Sequence, residues 1–247
     1  HDLNHLQEVI AKHHHDIKII SGDLAASLDI YNKNLGLEYL TGYVVEYALS
    51  VDNIFVMVLL FTSFGIPERY YHKVLVWGIL GAIVMRFLFI FLGATLIAKF
   101  GWILYVFGAF LVFTGIKMFI NRNQEEEVDP QNHPVVKFAS KYFKVTPKLD
   151  AGHFFYIENG VKYMTPLFLV LLVIEFTDLI FAVDSIPAIF SVTKDPYIVF
   201  FSNIFAILGL RSMFFLLVNI IHKFQYLKVG LAFLLVFIGL KMLLHHW

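Results

Sequence analysis

The sequence predicts an all-α integral membrane protein with six transmembrane helices, arranged as two inverted three-helix repeats. Of its 247 residues, 59% are hydrophobic and the mean hydropathy is +0.73. Only 15% are charged, against about 25% in soluble domains. Six apolar runs come close to the ~20 residues that a membrane helix needs, and polar motifs of the first three recur in the last three.

Charge and cysteine content exclude several other classes. The chain has 19 basic and 19 acidic residues, so it has no basic excess to neutralise phosphates and no nucleic-acid partner is expected. It has no Cys, which excludes disulfides and thiolate metal sites within these residues. The expected surroundings are a lipid bilayer.

The apolar runs define the expected spans in chain order. Each is bounded by polar or charged residues, and a long polar stretch separates the third from the fourth. The six spans are Leu40–Phe64, Val74–Phe100, Trp102–Ile120, Met164–Phe190, Ile198–Ile220 and Tyr226–Leu244.

Two polar segments lie outside the spans. Residues 1–38 are expected to form an extracytoplasmic segment, and residues 121–162 a solvated cytoplasmic connection with a short amphipathic piece near Val135–Phe143. The acidic run Glu125–Glu127 fits a solvated turn. Because the chain starts at His1 rather than Met, we expect it to be part of a longer protein with more helices.

Lysine and arginine positions predict the orientation, since cytoplasmic loops carry the excess of these residues. The loops after the first, third and fifth spans hold eleven of them, and the opposite side holds six. The eleven are Arg69, Lys73, Lys117, Arg122, Lys137, Lys141, Lys144, Lys148, Lys162, Lys223 and Lys228.

The repeat is clearest at two acidic motifs. The first span reads Glu46-Tyr-Ala-Leu-Ser-Val-Asp52-Asn-Ile, and the fourth reads Asp178-Leu-Ile-Phe-Ala-Val-Asp184-Ser-Ile. A repeat of three spans inserts its second copy upside down, so residues 39–120 and 163–247 are expected to form an inverted pair. Such pairs are common in transporters, with the site near the midplane.

Two more features recur in the same order. The second and fifth spans each carry one arginine, Arg86 and Arg211. The third and sixth spans end alike, in Gly115-Ile-Lys-Met and Gly239-Leu-Lys-Met.

Five carboxylates within apolar spans are the candidate metal ligands. Each costs roughly 3 kcal/mol in hydrocarbon unless it is paired or hydrated. With two intramembrane arginines, three negative charges remain, and protons or a metal ion would compensate them. The five are Glu46, Asp52, Glu175, Asp178 and Asp184.

The neighbouring donors are also oxygens. Asn53 and Ser185 follow the two motif aspartates, and such a set suits Mg²⁺, Ca²⁺ or Mn²⁺ without distinguishing them. In a straight helix Asp184 would point about 120° away from Asp178. We therefore expect the two motif helices to be broken, with Pro187 freeing the carbonyl of Val183.

Other interpretations remain open at this point. The acids could form a structural ion-pair network, with Arg86 and Arg211 as counter-charges, or an arginine could occupy an empty cation site. Asn203 could be a ligand or an interhelical hydrogen-bond partner. The run His13–His15 is typical of a solvated surface, although it could also collect metal.

At these motifs the chain resembles the TerC family of membrane proteins, which is grouped with LysE-like transporters. The arginine-bearing stretches Trp77–Arg86 and Ser202–Arg211 match as well. The resemblance implies a multi-pass protein of the bacterial cytoplasmic membrane, linked to Mn²⁺ export and tellurite resistance. It also implies that the five acids are the metal-site residues and that further helices flank the six.

The leading hypothesis is Mn²⁺ export coupled to protons. The alternative is a membrane scaffold with a structural metal site, acting in metal or tellurite stress or in metal delivery. No hydrolytic signature or P-loop is present, so we expect no enzyme. Partners beyond lipid, cation and protons, either a second copy or another membrane protein, are left open.

Overall fold

A computed structural model describes residues 3–12, 23–121, 133–149, 152–218 and 227–244. Within these, the all-α membrane class is confirmed, since five helices are long and apolar enough to cross a membrane and a sixth contributes the shorter apolar stretch Ala232–Leu244. The helices are α1 Leu3–Lys12, α2 Leu24–Ser63, α3 Tyr71–Lys99, α4 Ile103–Ile120, α5 Pro134–Tyr142, α6 Pro166–Phe190, α7 Pro196–Val218 and α8 Leu227–Leu244.

The first membrane helix begins sixteen residues before the predicted span. Helix α2 has 40 residues, which corresponds to about 60 Å, twice the thickness of the ~30 Å hydrocarbon core. Asp23 starts it by accepting a hydrogen bond from the Ala26 amide at 3.0 Å. Lys33 and Asp29 form an i, i+4 pair at 2.6 Å. Hydropathy predicts the part of α2 that crosses the membrane, whereas the Asp23 cap and local side-chain pairs determine where its N-terminus begins.

Each membrane helix of the first half packs mainly against a helix of the second half. Helix α2 contacts α7, α3 contacts α6 and α4 contacts α8. Exchanging equivalent helices of the two repeats, α2 with α6, α3 with α7 and α4 with α8, reproduces the same set of pairs. This packing agrees with a repeat, and the orientation of each half in the membrane stays a prediction.

Small residues bring α4 and α8 together. A Cβ on Gly239 would lie 2.7 Å from the Gly108 carbonyl oxygen, and one on Gly115 would lie 2.8 Å from the Ala232 carbonyl oxygen. The helices are therefore antiparallel, with backbones in direct contact. Gly115 and Gly239 are the glycines of the two matching motifs.

The connection between the halves contains structure that the sequence reading missed. After α5 comes a three-stranded sheet of order β1-β3-β2, with β1 Lys144–Val145, β2 Phe155–Glu158 and β3 Val161–Met164. Strands β2 and β3 are antiparallel and β1 is parallel to β3. Asn159 and Gly160 turn the hairpin with φ of 52° and 77°, a common hairpin signal that the sequence did contain.

Several predicted features lie outside the described residues. These are the runs His13–His15 and Glu125–Glu127 and the side chains of Asp52 and Arg211, although the backbones of the last two belong to α2 and α7.

Candidate functional site

The prediction of two broken helices is wrong. Helix α2 is continuous through the first motif, and α6 continues through Pro187 to Phe190. Pro187 lies in the last turn of α6, where a missing backbone donor interrupts little of the helix. The Ser191 amide donates to the carbonyls of Pro187 and Ala188 at 3.2 and 3.3 Å. The motif residues of both helices are therefore presented from an unbroken helical backbone.

Arg86 of α3 is the centre of a buried ion-pair cluster. Its side chain is fully buried, and Nη1 donates to Glu46 of α2 and to Asn203 Oδ1 of α7 at 2.6 Å. Nη2 and Nε donate to the two carboxylate oxygens of Asp178 in α6 at 3.0 and 3.3 Å. Four helices thus meet at one guanidinium group.

Every carboxylate oxygen of this cluster has a hydrogen-bond partner. Glu46 also accepts hydrogen bonds from Ser50 Oγ at 2.7 Å and from Asn203 Nδ2 at 3.1 Å. Glu46 and Asp178, both predicted metal ligands, thus pair with Arg86, as expected of a counter-charge and equally of an arginine that occupies an empty cation site. Asn203 is an interhelical hydrogen-bond partner.

A second polar group is not saturated. Asn53 Oδ1, Asp184 Oδ1 and Ser185 Oγ are buried and have no hydrogen-bond partner. All three residues line one cavity of about 20 Å³, together with Ser50 and four apolar side chains. That volume suits one water or one cation. The apolar side chains are Leu49, Met118, Phe181 and Leu235.

The second motif aspartate has one neighbour that the sequence reading missed. The side chain of Thr114 in α4 lies close to Asp184. The sequence did contain an indication of this neighbour, because Thr114 is a polar residue within an apolar span. A larger cavity of about 400 Å³ lies among Phe91, Phe190 and Lys194, but no predicted site residue lines it.

Glu175 lies one helical turn before Asp178, but among the described hydrogen bonds none joins it to either group. Its carboxylate sits in a notch over Gly81 of α3, where any Cβ would overlap it, and close to Gly78. Among the side chains that the structure describes, no three His, Cys, Asp or Glu residues form a metal-sized group. The predicted five-acid set is therefore divided among three places, with Asp52 outside the description.

The chain is similar to known membrane proteins over most of its length. Residues 31–247 match the "Integral membrane protein TerC family". Over 84% of its length the chain is 54% identical to an uncharacterized membrane protein of Myxococcus xanthus and 52% identical to Escherichia coli (strain K12) Alx, named a "Putative membrane-bound redox modulator". It is 48% identical to an uncharacterized membrane protein of Rickettsia bellii over 85% of its length and 69% of that protein.

The chain spans 64% of the length of the Myxococcus and Escherichia relatives. No solved structure matches it. The family match covers most of the chain and includes both acidic motifs and both arginine-bearing helices. This chain is a multi-pass integral membrane protein that belongs to the TerC family.

Proposed function

We propose that this chain forms the cation-binding core of a divalent-metal exporter, with Mn²⁺ as cargo and protons as the coupling ion. One observation carries the proposal: three buried, unpartnered oxygens of Asn53, Asp184 and Ser185 line a single cavity. Leaving each buried acceptor unpaired costs about 1–3 kcal/mol. A bound cation would remove that cost.

The chemistry of the donors supports a hard cation. An amide oxygen, a carboxylate oxygen and a hydroxyl are typical ligands of Mn²⁺, Mg²⁺ and Ca²⁺. We propose Mn²⁺ among them because the family resemblance implies a link to Mn²⁺ export. Asp52, which precedes Asn53, is proposed as the further carboxylate ligand, in the position that Asp184 has in the second repeat.

The remaining acids are given separate roles. Glu46 and Asp178 hold Arg86 and thereby join α2 and α6, which line the cavity, to α3 and α7. Glu175, with its carboxylate in the glycine notch of α3, is the proposed proton carrier. Metal ligands must be deprotonated to bind, so cation binding and proton release are coupled.

Placement in the cell belongs to the same proposal. We place the protein in the bacterial cytoplasmic membrane, with residues 121–162 in the cytoplasm, because the positive charges concentrate on that side. The protein is proposed to transport rather than to catalyse.

The alternative function is a scaffold that binds metal without transporting it. The name of Alx describes a redox modulator. This chain has no Cys, so a redox effect of these residues would act through a metal or a partner. The exposed sheet and helix of the connection could dock such a partner. Binding without turnover would favour this alternative.

Transport assays with the full-length protein test the proposal. In proteoliposomes loaded with a Mn²⁺-quenched dye, wild type should move Mn²⁺ and Asp184→Asn should lose at least nine-tenths of the rate. Asp29→Asn, at an exposed aspartate outside the cavity, should behave as wild type. Transport by inserted Asp184→Asn at the wild-type rate would overturn the site, and Mn²⁺ binding without uptake by wild type would favour the scaffold.

A further inference from the structure

Helix α5 carries three different strips of side chains. Val136 and Ala139 are buried, whereas Phe138 and Tyr142 are 67% and 63% exposed and their rings are 5.0 Å apart. At 100° per residue, the aromatic strip lies about 100° from the buried one. A lysine strip follows about 100° further round.

The buried strip attaches α5 to α6. Val136 and Ala139 belong to the same hydrophobic core as Leu167 and Val170 of α6. At the start of α5, the ring of His133 lies 6.3 Å from the ring of Phe176. Phe176 is ten residues into α6, which corresponds to about 15 Å from Pro166.

This position puts α5 beside the lipid-facing surface of α6. Phe176 and Ile180 are 40% and 52% exposed on a helix that is apolar enough to cross a membrane. Nine residues of α5 cover about 14 Å, so the helix extends along the outer part of α6. The exposed aromatic strip therefore belongs to a helix packed against a membrane-crossing helix.

The third strip is cationic. Lys137 and Lys141 are exposed on α5 and Lys144 is exposed just after it, whereas α5 contains no acidic residue. Lysines beside an aromatic face reach from the apolar layer to the headgroups. The positive charges complement anionic lipid phosphates, which are concentrated in the cytoplasmic leaflet.

We propose that α5 is an interfacial anchor that binds anionic phospholipid, with Phe138 and Tyr142 inserted among the acyl chains and Lys137 and Lys141 on the headgroup phosphates. The connection between the two halves is therefore partly embedded rather than wholly solvated. This inference stands independently of the transported ion.

Labelling tests the insertion. In the full-length protein, with any cysteine outside these residues replaced, a bimane label is placed at Phe138→Cys or at Ser140→Cys, on the opposite side of α5. In nanodiscs with brominated acyl chains, the label at 138 should be quenched at least threefold more than the label at 140. Equal quenching, or strong aqueous iodide quenching at 138, would overturn insertion.

Lipid charge tests the headgroup contact. Replacing a quarter of phosphatidylcholine by phosphatidylglycerol should raise the melting temperature of wild type by several degrees, and Lys137→Gln/Lys141→Gln should lose most of that rise. The control Lys33→Gln/Lys99→Gln removes two exposed charges elsewhere and should keep it. A rise that persists in the α5 variant, or that free phosphate reproduces without anionic lipid, would contradict the proposal.

Discussion

Two polar groups in the membrane core contain similar residues but differ in how many of their buried oxygens are hydrogen-bonded. Around Arg86, each carboxylate oxygen of Glu46 and Asp178 accepts at least one hydrogen bond. In the neighbouring cavity, Asn53, Asp184 and Ser185 each keep an unpaired buried oxygen. Ser50 belongs to both, since it donates to Glu46 and lines the cavity.

This difference in hydrogen bonding indicates that one group stabilises helix packing and the other is able to bind a cation. The ion-pair cluster holds helices in place, and its two carboxylates are already neutralised in part by the Arg86 guanidinium. An unsaturated oxygen group carries a free-energy penalty that a cation can remove. Stability and cation binding should therefore respond to different mutations.

The largest expected effect is on stability, at the cluster. Arg86→Met leaves two buried carboxylates without their cation and should destabilise the protein by about 3–5 kcal/mol. Asp184→Asn removes no ion pair among the described residues and should change stability by less than about 1 kcal/mol. Thermal unfolding in nanodiscs measures both, and equal losses would erase the distinction between the two groups.

Cation binding should show the reverse pattern. At a Mn²⁺ concentration 100 times the dissociation constant, binding should stabilise wild type by about 2.7 kcal/mol, and chelation should reverse the effect. Asp184→Asn should lose this stabilisation. Glu46→Gln, which removes a carboxylate of the cluster, should retain it. Calorimetric scans with and without Mn²⁺ measure this stabilisation. If only Glu46→Gln lost it, the cation would bind at the Arg86 cluster instead of the cavity.

Helix packing behind the cavity gives a smaller effect. Thr114 and Leu235, on α4 and α8, lie beside Asp184 and the cavity, where these two helices are in backbone contact. Gly239→Ala places a methyl 2.7 Å from the Gly108 carbonyl oxygen and should cost about 1–3 kcal/mol. Gly230→Ala, with open space around it, is the matched control. Equal melting temperatures of the two variants would argue against the close contact.

The smallest effect concerns pH and lies outside both groups. Burial lowers the pKa of His133, whose Nδ1 accepts a hydrogen bond from the Val135 amide at the start of α5. Because the unfolded chain binds this proton more readily, stability should fall as the pH drops below about 6.5. The loss should not exceed about 1 kcal/mol, the usual value of an N-cap.

Replacing His133 by Asn tests this effect, because Asn caps a helix without titrating. Hydrogen exchange of α5 amides at pH 7 and pH 5.5 should then show no difference due to capping. Because His133 no longer titrates in this variant, it is also suited to measuring how protons compete with a cation at the cavity. Persistent acid sensitivity of α5 in His133→Asn would assign it to another group.

The face of each motif helix could be read from the sequence, but the partner of each residue could not. Glu46 and Asn53 share a helical face, as do Asp178 and Ser185. Each pair is separated by seven residues, about 10 Å along the axis. One end of each face meets Arg86 and the other meets the cavity, so a common face does not imply a common ligand.

By itself, the sequence determined the membrane class, the positions of the apolar spans, the repeated motifs and the family. These properties follow from local hydrophobicity and residue order. Only the tertiary structure decided that Arg86 neutralises Glu46 and Asp178, that α2 and α6 stay unbroken, and that Asp184 keeps a free oxygen. Those outcomes depend on which helices pack together, because buried charges choose partners by proximity in space rather than by spacing along the chain.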